Sequence, residues 1–148
     1  MSLIENKKAR LRFEILDTYV AGMELTGAEV KSLRAKHGSL EGSRVIVRGG
    51  EAYVVGMTIP PYQVKNTPES YEPDHARRLL LSKKEIAELA DAEPKKGLTI
   101  VPLEVYNVGR YVKLSVAIVR GKGKADKRED LKRADAKIDM ERALRGKR

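Results

Sequence analysis

Apolar and polar positions alternate at period two in several short runs of this chain, the spacing of half-buried antiparallel strands. Leu11, Phe13 and Ile15 fall on one face of such a strand. Val45 and Val47 do the same, Gly49-Gly50 follows, and Tyr53-Val54-Val55 resumes, which predicts a β-hairpin. Val101, Leu103 and Val105 alternate, Asn107-Val108-Gly109 reverses the chain, and Val112, Leu114, Val116 and Ile118 alternate back. Two helices are predicted by their starts. Thr26-Gly27-Ala28-Glu29 is a capping box: the Thr26 hydroxyl accepts from the Glu29 amide while the Glu29 carboxylate reaches back to the Thr26 amide. Leu25 and Val30 are spaced as its hydrophobic staple, and Gly38 is placed to stop the helix. Ser82-Lys83-Lys84-Glu85 repeats the device, with Leu81 and Ile86 as the staple and an end near Ala92, before Pro94.

Residues 58–77 hold Pro60, Pro61, Pro68 and Pro73. So long a loop in a compact domain is either functional or disordered. Five or six short strands with two helices make the fold mainly β, a small barrel of the OB type, an architecture that often binds nucleic acid.

Charge divides the chain of 148 residues into two parts. Residues 1–119 hold 18 basic and 15 acidic side chains, whereas residues 120–148 hold 12 basic and 6 acidic. Six of the nine excess positive charges therefore sit in the last segment. The reading is a near-balanced body, 1–119, with a basic arm, 120–148. In the arm Leu131, Ala134 and Ile138 share a helical face, but Leu144 lies off it and alanine dominates the rest. Such a stripe does not offset its own ordering entropy, so the arm is expected to be disordered when free and helical against a partner. The alternative is a C-terminal helix docked on the barrel.

There is no cysteine, which excludes disulfides and thiolate metal sites. The charged start, Met1 to Arg10, does not fit a signal peptide, and no run approaches the ~18 apolar residues of a membrane span. The expectation is a soluble cytoplasmic protein without cofactor or metal. Catalytic groups are sparse. His37 and His75 are the only histidines, each in a polar, turn-like context that reads as surface. No metalloprotease, phosphate-loop or nucleophile-elbow motif is present. Gly121-Lys122-Gly123-Lys124 lacks phosphate-loop spacing and reads as a flexible basic linker.

RNA binding, by contrast, needs phosphate neutralisation plus groups that fit a shape or stack on bases. Cations cluster at Lys7, Lys8, Arg10 and Arg12; at Lys31, Arg34 and Lys36; at Arg77, Arg78, Lys83 and Lys84; and at Arg120, Lys122 and Lys124. With one Phe, six Tyr and no Trp, the chain is poor in stacking platforms, which favours recognition of a folded RNA by shape and backbone. These features alone leave open a ribosomal protein or RNA chaperone of the same fold.

The ordered motifs narrow that choice. Asn6-Lys7-Lys8-Ala9-Arg10, Ala21-Gly22 and Gly27-Ala28-Glu29-Val30-Lys31-Ser32-Leu33-Arg34-Ala35 resemble the opening signature of the SmpB family. Arg77-Arg78-Leu79-Leu80-Leu81, Gly97 to Leu103, Arg120-Gly121-Lys122 and Asp126-Lys127-Arg128 resemble its later motifs. The resemblance implies a six-stranded antiparallel OB-like barrel with three helices. It implies binding to the tRNA-like domain of transfer-messenger RNA (tmRNA) and delivery to the A site of a stalled ribosome. There the tail would occupy the empty mRNA channel beside the small-subunit decoding centre, and trans-translation would follow. Elongation factor Tu and alanyl-tRNA synthetase would take part through tmRNA, and the protein would act as a monomer and not as an enzyme. By motif position Asn6, Lys7, Ala9, Arg10, Glu29, Lys31, Arg34, Leu80 and Lys113 match the tmRNA-side set. Arg120, Lys122, Lys124, Asp126, Lys127 and Arg128 match the ribosome-side set. The chain departs from the pattern at Val20, where an acid is usual, at Leu11-Arg12-Phe13, where His, an acid and Tyr are usual, and at Ala125, where a ring is usual.

Overall fold

The computed structural model describes residues 2–121. Seven strands and three α-helices alternate along these residues: β1 (Ser2–Glu5), α1 (Lys7–Arg12), β2 (Phe13–Met23), α2 (Gly27–Arg34), β3 (Arg44–Arg48), β4 (Glu51–Val55), β5 (Arg77–Leu80), α3 (Lys83–Ala92), β6 (Leu98–Val108) and β7 (Tyr111–Gly121). All strand pairs are antiparallel, in the order β1-β6-β7-β2-β5-β4-β3. Strand β3 comes back against β6, so the sheet curls round one core although β1 and β3 remain its edges. This is the mainly β, OB-like class expected, with seven strands in place of six.

The seventh strand is β1, four residues too short to show a period. Beside it stands a second correction. Leu11 does not share a strand face with Phe13 and Ile15; it belongs to α1 and is exposed. Asn6 explains the helix: its side chain accepts from the Ala9 amide as N-cap.

Both faces of the β6-β7-β2 region are buried, and bulges make this possible. The main core takes Ile100 and Val105 of β6, Val112, Leu114, Val116 and Ile118 of β7, and Tyr19, Ala21 and Met23 of β2. A second cluster on the outer face joins Ala9 of α1 to Val101, Leu103, Ala117 and Val119, with Phe13 and Ile15 against it. Register shifts between Ile15 and Asp17, and between Pro102 and Glu104, pass each strand from one cluster to the other. Val101 and Leu103 therefore face α1 and only Val105 faces the main core, against the single alternating face expected.

Both capping boxes form as read. Helix α2 stops earlier than expected, at Lys36 in the left-handed region (φ 63°), not at Gly38. Gly38 serves a different need: a Cβ there would lie 2.9 Å from Ile4 Cδ1 and 3.0 Å from the Thr58 carbonyl oxygen. Gly49 and Gly50 turn the β3-β4 hairpin with φ of 59° and 78°, as its two-residue loop requires. Helix α3 ends on Glu93, whose carboxylate accepts from the Val47 amide at 2.9 Å and from Arg48 at 2.7 Å. That contact covers part of the β3 edge. Strand β7 continues to Gly121, so Arg120, expected in the extension, ends a core strand.

Candidate nucleic-acid interface

The proline-rich segment is organised from inside. Glu29 and Arg77 are 2% and 1% exposed. Arg77 Nε donates to Glu29 Oε2 at 2.8 Å, and the rest of the guanidinium donates to the carbonyls of Met57 (2.8 Å), Pro73 (2.8 Å) and His75 (3.1 Å). Tyr71 donates to the Ile59 carbonyl at 2.6 Å, and His75 Nε2 lies 2.9 Å from Glu29 Oε2. Burial pushes the Glu29 carboxyl up, but the Thr26 amide, the Arg77 guanidinium and the His75 ring outweigh it and hold it below its ordinary range. Glu29 and Arg77, both among the RNA-side candidates, have buried side chains that hold this network together. His75, read as a surface residue, is a half-buried member of the same network. Arg78 points outward between Glu24 and Glu51.

What faces solvent is a second set. Gly22 stands in register with Leu80 of β5 on one side and Lys113 of β7 on the other, and Lys113 is paired in turn with Tyr106. Leu80 is half exposed, as are Val20, Val108 and Tyr111 on the same outer face. The Lys113 ammonium sits 5.7 Å from the centre of the Tyr111 ring, which fixes its direction. Arg34, from the last turn of α2, donates to the Arg110 carbonyl at 2.7 Å and so joins the tip of the β6-β7 hairpin. Lys31, one turn earlier, lies 6.0 Å from the Tyr62 ring. Arg34, Arg110, Tyr111, Lys113, Gly22 and Leu80 therefore form one continuous surface of cations and exposed apolar groups. Nothing there resembles a catalytic dyad. The arrangement neutralises phosphate and offers flat apolar contact.

The sequence did not single out Tyr111 or Arg110, and it marked Gly22 only as part of Ala21-Gly22. Gly22 carries the available signal: a glycine inside an eleven-residue strand weakens that strand unless something must approach closely. A Cβ on Gly22 would lie 3.3 Å from Leu80 Cβ.

The first motif divides in the same way. Asn6 and Ala9 are buried. Asn6 Nδ2 donates to the Pro102 carbonyl at 2.9 Å, its amide donates to Leu103 at 2.8 Å, and Ala9 packs in the outer cluster. Lys7 and Arg10 are exposed on α1. They lie on the same side of the sheet as Lys113, near the other end of β7, about 20 Å away by strand rise from the Val119 position. Arg120 lies 3.5 Å from Glu14. Lys122, Lys124, Asp126, Lys127 and Arg128, with the helical arm expected after residue 120, lie outside the described residues.

A family model described as "SmpB protein" matches residues 3–146. The SsrA-binding protein of Microcystis aeruginosa is 44% identical over 143 residues, covering 97% of this chain and 93% of the relative. That of Salinispora arenicola is 47% identical over 138 residues, covering 93% and 86%. A chain in a solved structure described as "tmRNA-SmpB: a journey to the center of the bacterial ribosome" superposes with a TM-score of 0.71 at 40% identity, covering 90% of this chain and 97% of that one. With the fold, the motif series and these relatives in agreement over nearly the whole length, the chain belongs to the SmpB family.

Proposed function

We infer that this protein is a tmRNA-binding adaptor of trans-translation and not an enzyme. Its curved sheet presents the Leu80-Gly22-Lys113 row and the Arg34 end of α2 to the tRNA-like domain of tmRNA. That continuous cation-and-apolar surface is the observation that carries the reading, because it suits a folded RNA's backbone better than a stack of single bases. Lys7, Arg10 and Lys31 extend the contact, while Asn6, Ala9 and Glu29 hold the surface in shape. The complex then enters the A site of a stalled ribosome. Arg120, Lys122, Lys124, Asp126, Lys127 and Arg128 engage the small-subunit decoding centre, and residues beyond them fold in the vacant mRNA channel. The protein acts as a cytoplasmic monomer. Elongation factor Tu and alanyl-tRNA synthetase reach it through tmRNA. Among the described residues no helix is long and apolar enough to cross a membrane.

Direct titration tests the reading. The tRNA-like domain should bind tightly and with steep salt dependence, and unrelated RNA of equal length should bind more weakly. Equal affinity for the two would contradict it.

A further inference from the structure

The outer face of the sheet changes sign between two adjacent rows. One row is Leu80, Gly22, Lys113 and Tyr106, set side by side by strand register. The next, two residues along each strand, is Val20, Ser115 and Glu104. Beyond it α1 covers the face, with Ala9 packed among Val101, Leu103, Ala117 and Val119. Glu5 of β1 is the cross-strand partner of Glu104, so the second row ends in two carboxylates directly opposite one another, a placement that weakens a sheet. Glu104 is half-buried, and among the described residues it makes neither a hydrogen bond nor an ion pair. Its charge is felt by Tyr106, whose hydroxyl is pushed up by burial first and by Glu104 second. Lys113 is the diagonal neighbour of Glu104, at the about 7–8 Å of such pairs, yet its ammonium rests on the Tyr111 ring towards the hairpin tip. Arg48, Arg78 and Arg120 each meet a carboxylate; Lys113 and Glu104 stay unneutralised side by side.

We propose that Glu104 is a specificity-determining residue, whose carboxylate repels phosphate from the Val20-Ser115-Glu104 row and so confines an RNA backbone to the Lys113 row. A basic face without such a border binds any polyanion in many registers. A carboxylate one row from the cation removes the registers in which phosphates cross that row. Repulsion of this kind costs affinity only for ligands that do not fit. An RNA whose fold keeps its phosphates on the Lys113 row loses nothing, whereas an unrelated RNA loses part of the face. The like-charge opposition with Glu5 is the stability given up for this border. The proposal rests on the RNA-adaptor reading and goes beyond it, because that reading names only the groups that attract RNA.

Glu104→Gln in the full-length protein tests it, since the variant keeps the side chain's shape and removes its charge. Affinities for the tRNA-like domain and for unrelated RNA of equal length are compared with those of the parent. Glu69→Gln, on the exposed proline-rich segment, makes the same change in net charge and serves as control. Unrelated RNA should bind Glu104→Gln about fivefold more tightly and with steeper salt dependence, while the tRNA-like domain stays within about twofold of the parent. Glu69→Gln should leave the ratio of the two affinities unchanged, and so should Glu104→Asp, which retains the charge. Equal gains for both RNAs, or the same narrowing in Glu69→Gln, would reduce the effect to net charge and overturn the proposal. Narrowing in Glu104→Asp, or no change in Glu104→Gln, would overturn it too. Weaker binding of the tRNA-like domain to Glu104→Gln would make Glu104 an attractive contact, which also contradicts it. In each of these cases the adaptor reading stands. A parent protein that does not distinguish the two RNAs overturns both.

Discussion

Glu29 and Arg77 are 48 positions apart, yet each side chain satisfies the other while both leave water. Removing one member of such a pair strands a buried charge, which costs far more than an exposed pair contributes. Glu29→Gln should therefore destabilise the barrel by about 3 kcal/mol, measured by urea denaturation at neutral pH. The linkage has a definite sign. The folded carboxyl titrates below its ordinary 4.5, so the stability it supplies is fully present above that pH and is lost as pH falls below it. Glu29→Gln should flatten that acid limb; an unchanged limb would show that other carboxylates govern it. Lys113 presents the opposite case, a cation resting on the exposed Tyr111 ring. Lys113→Glu should leave the melting temperature nearly unchanged and weaken binding of the tRNA-like domain about tenfold or more, with a shallower salt slope. Unaltered affinity in a filter-binding titration would remove Lys113 from the interface.

Helix α1 has six residues and buries only Ala9, so its stability rests on the cap and on docking, not on propensity. Asn6 supplies both, as N-cap and as donor to the Pro102 carbonyl. Asn6→Ala should cost about 1–2 kcal/mol and accelerate amide exchange at Ala9 selectively. Uniform acceleration across the barrel would show that α1 is not a separate unit. The same helix shows where the sequence was readable. The starts of α2 and α3 were legible because a capping box is chemistry within four residues. The β6-β7 hairpin was legible because its alternation is long. Helix α1 was not, since Ala9 stands where a box would place Glu or Gln, and the Leu11-Phe13-Ile15 spacing imitated a strand. The two bulges were invisible because a bulge is defined by the partner strand. Arg77 and Arg78 were indistinguishable as letters; strand β5 sends one inward and the other out. Leu80 and Lys113 reached the candidate set through motif position, and their juxtaposition across Gly22 emerged only from strand register.

Charge is unevenly divided over the whole molecule. Residues 1–119 carry a small excess of cations and fold around two apolar clusters, while residues 120–148 carry most of the net positive charge. The last strand, β7, runs to Gly121, which sets the point where the chain can be cut without removing a core strand. On this account the barrel alone grips the tRNA-like domain, and the extension acts only once the complex reaches the ribosome. Truncation after Gly121 separates these tasks when tmRNA affinity and peptide tagging are measured on the same preparation. The account predicts affinity within about twofold of the full chain, since it assigns tmRNA to the Lys113 surface and the ribosome to the extension, together with complete loss of tagging. Affinity and tagging lost in parallel, or tagging retained without the extension, would contradict it.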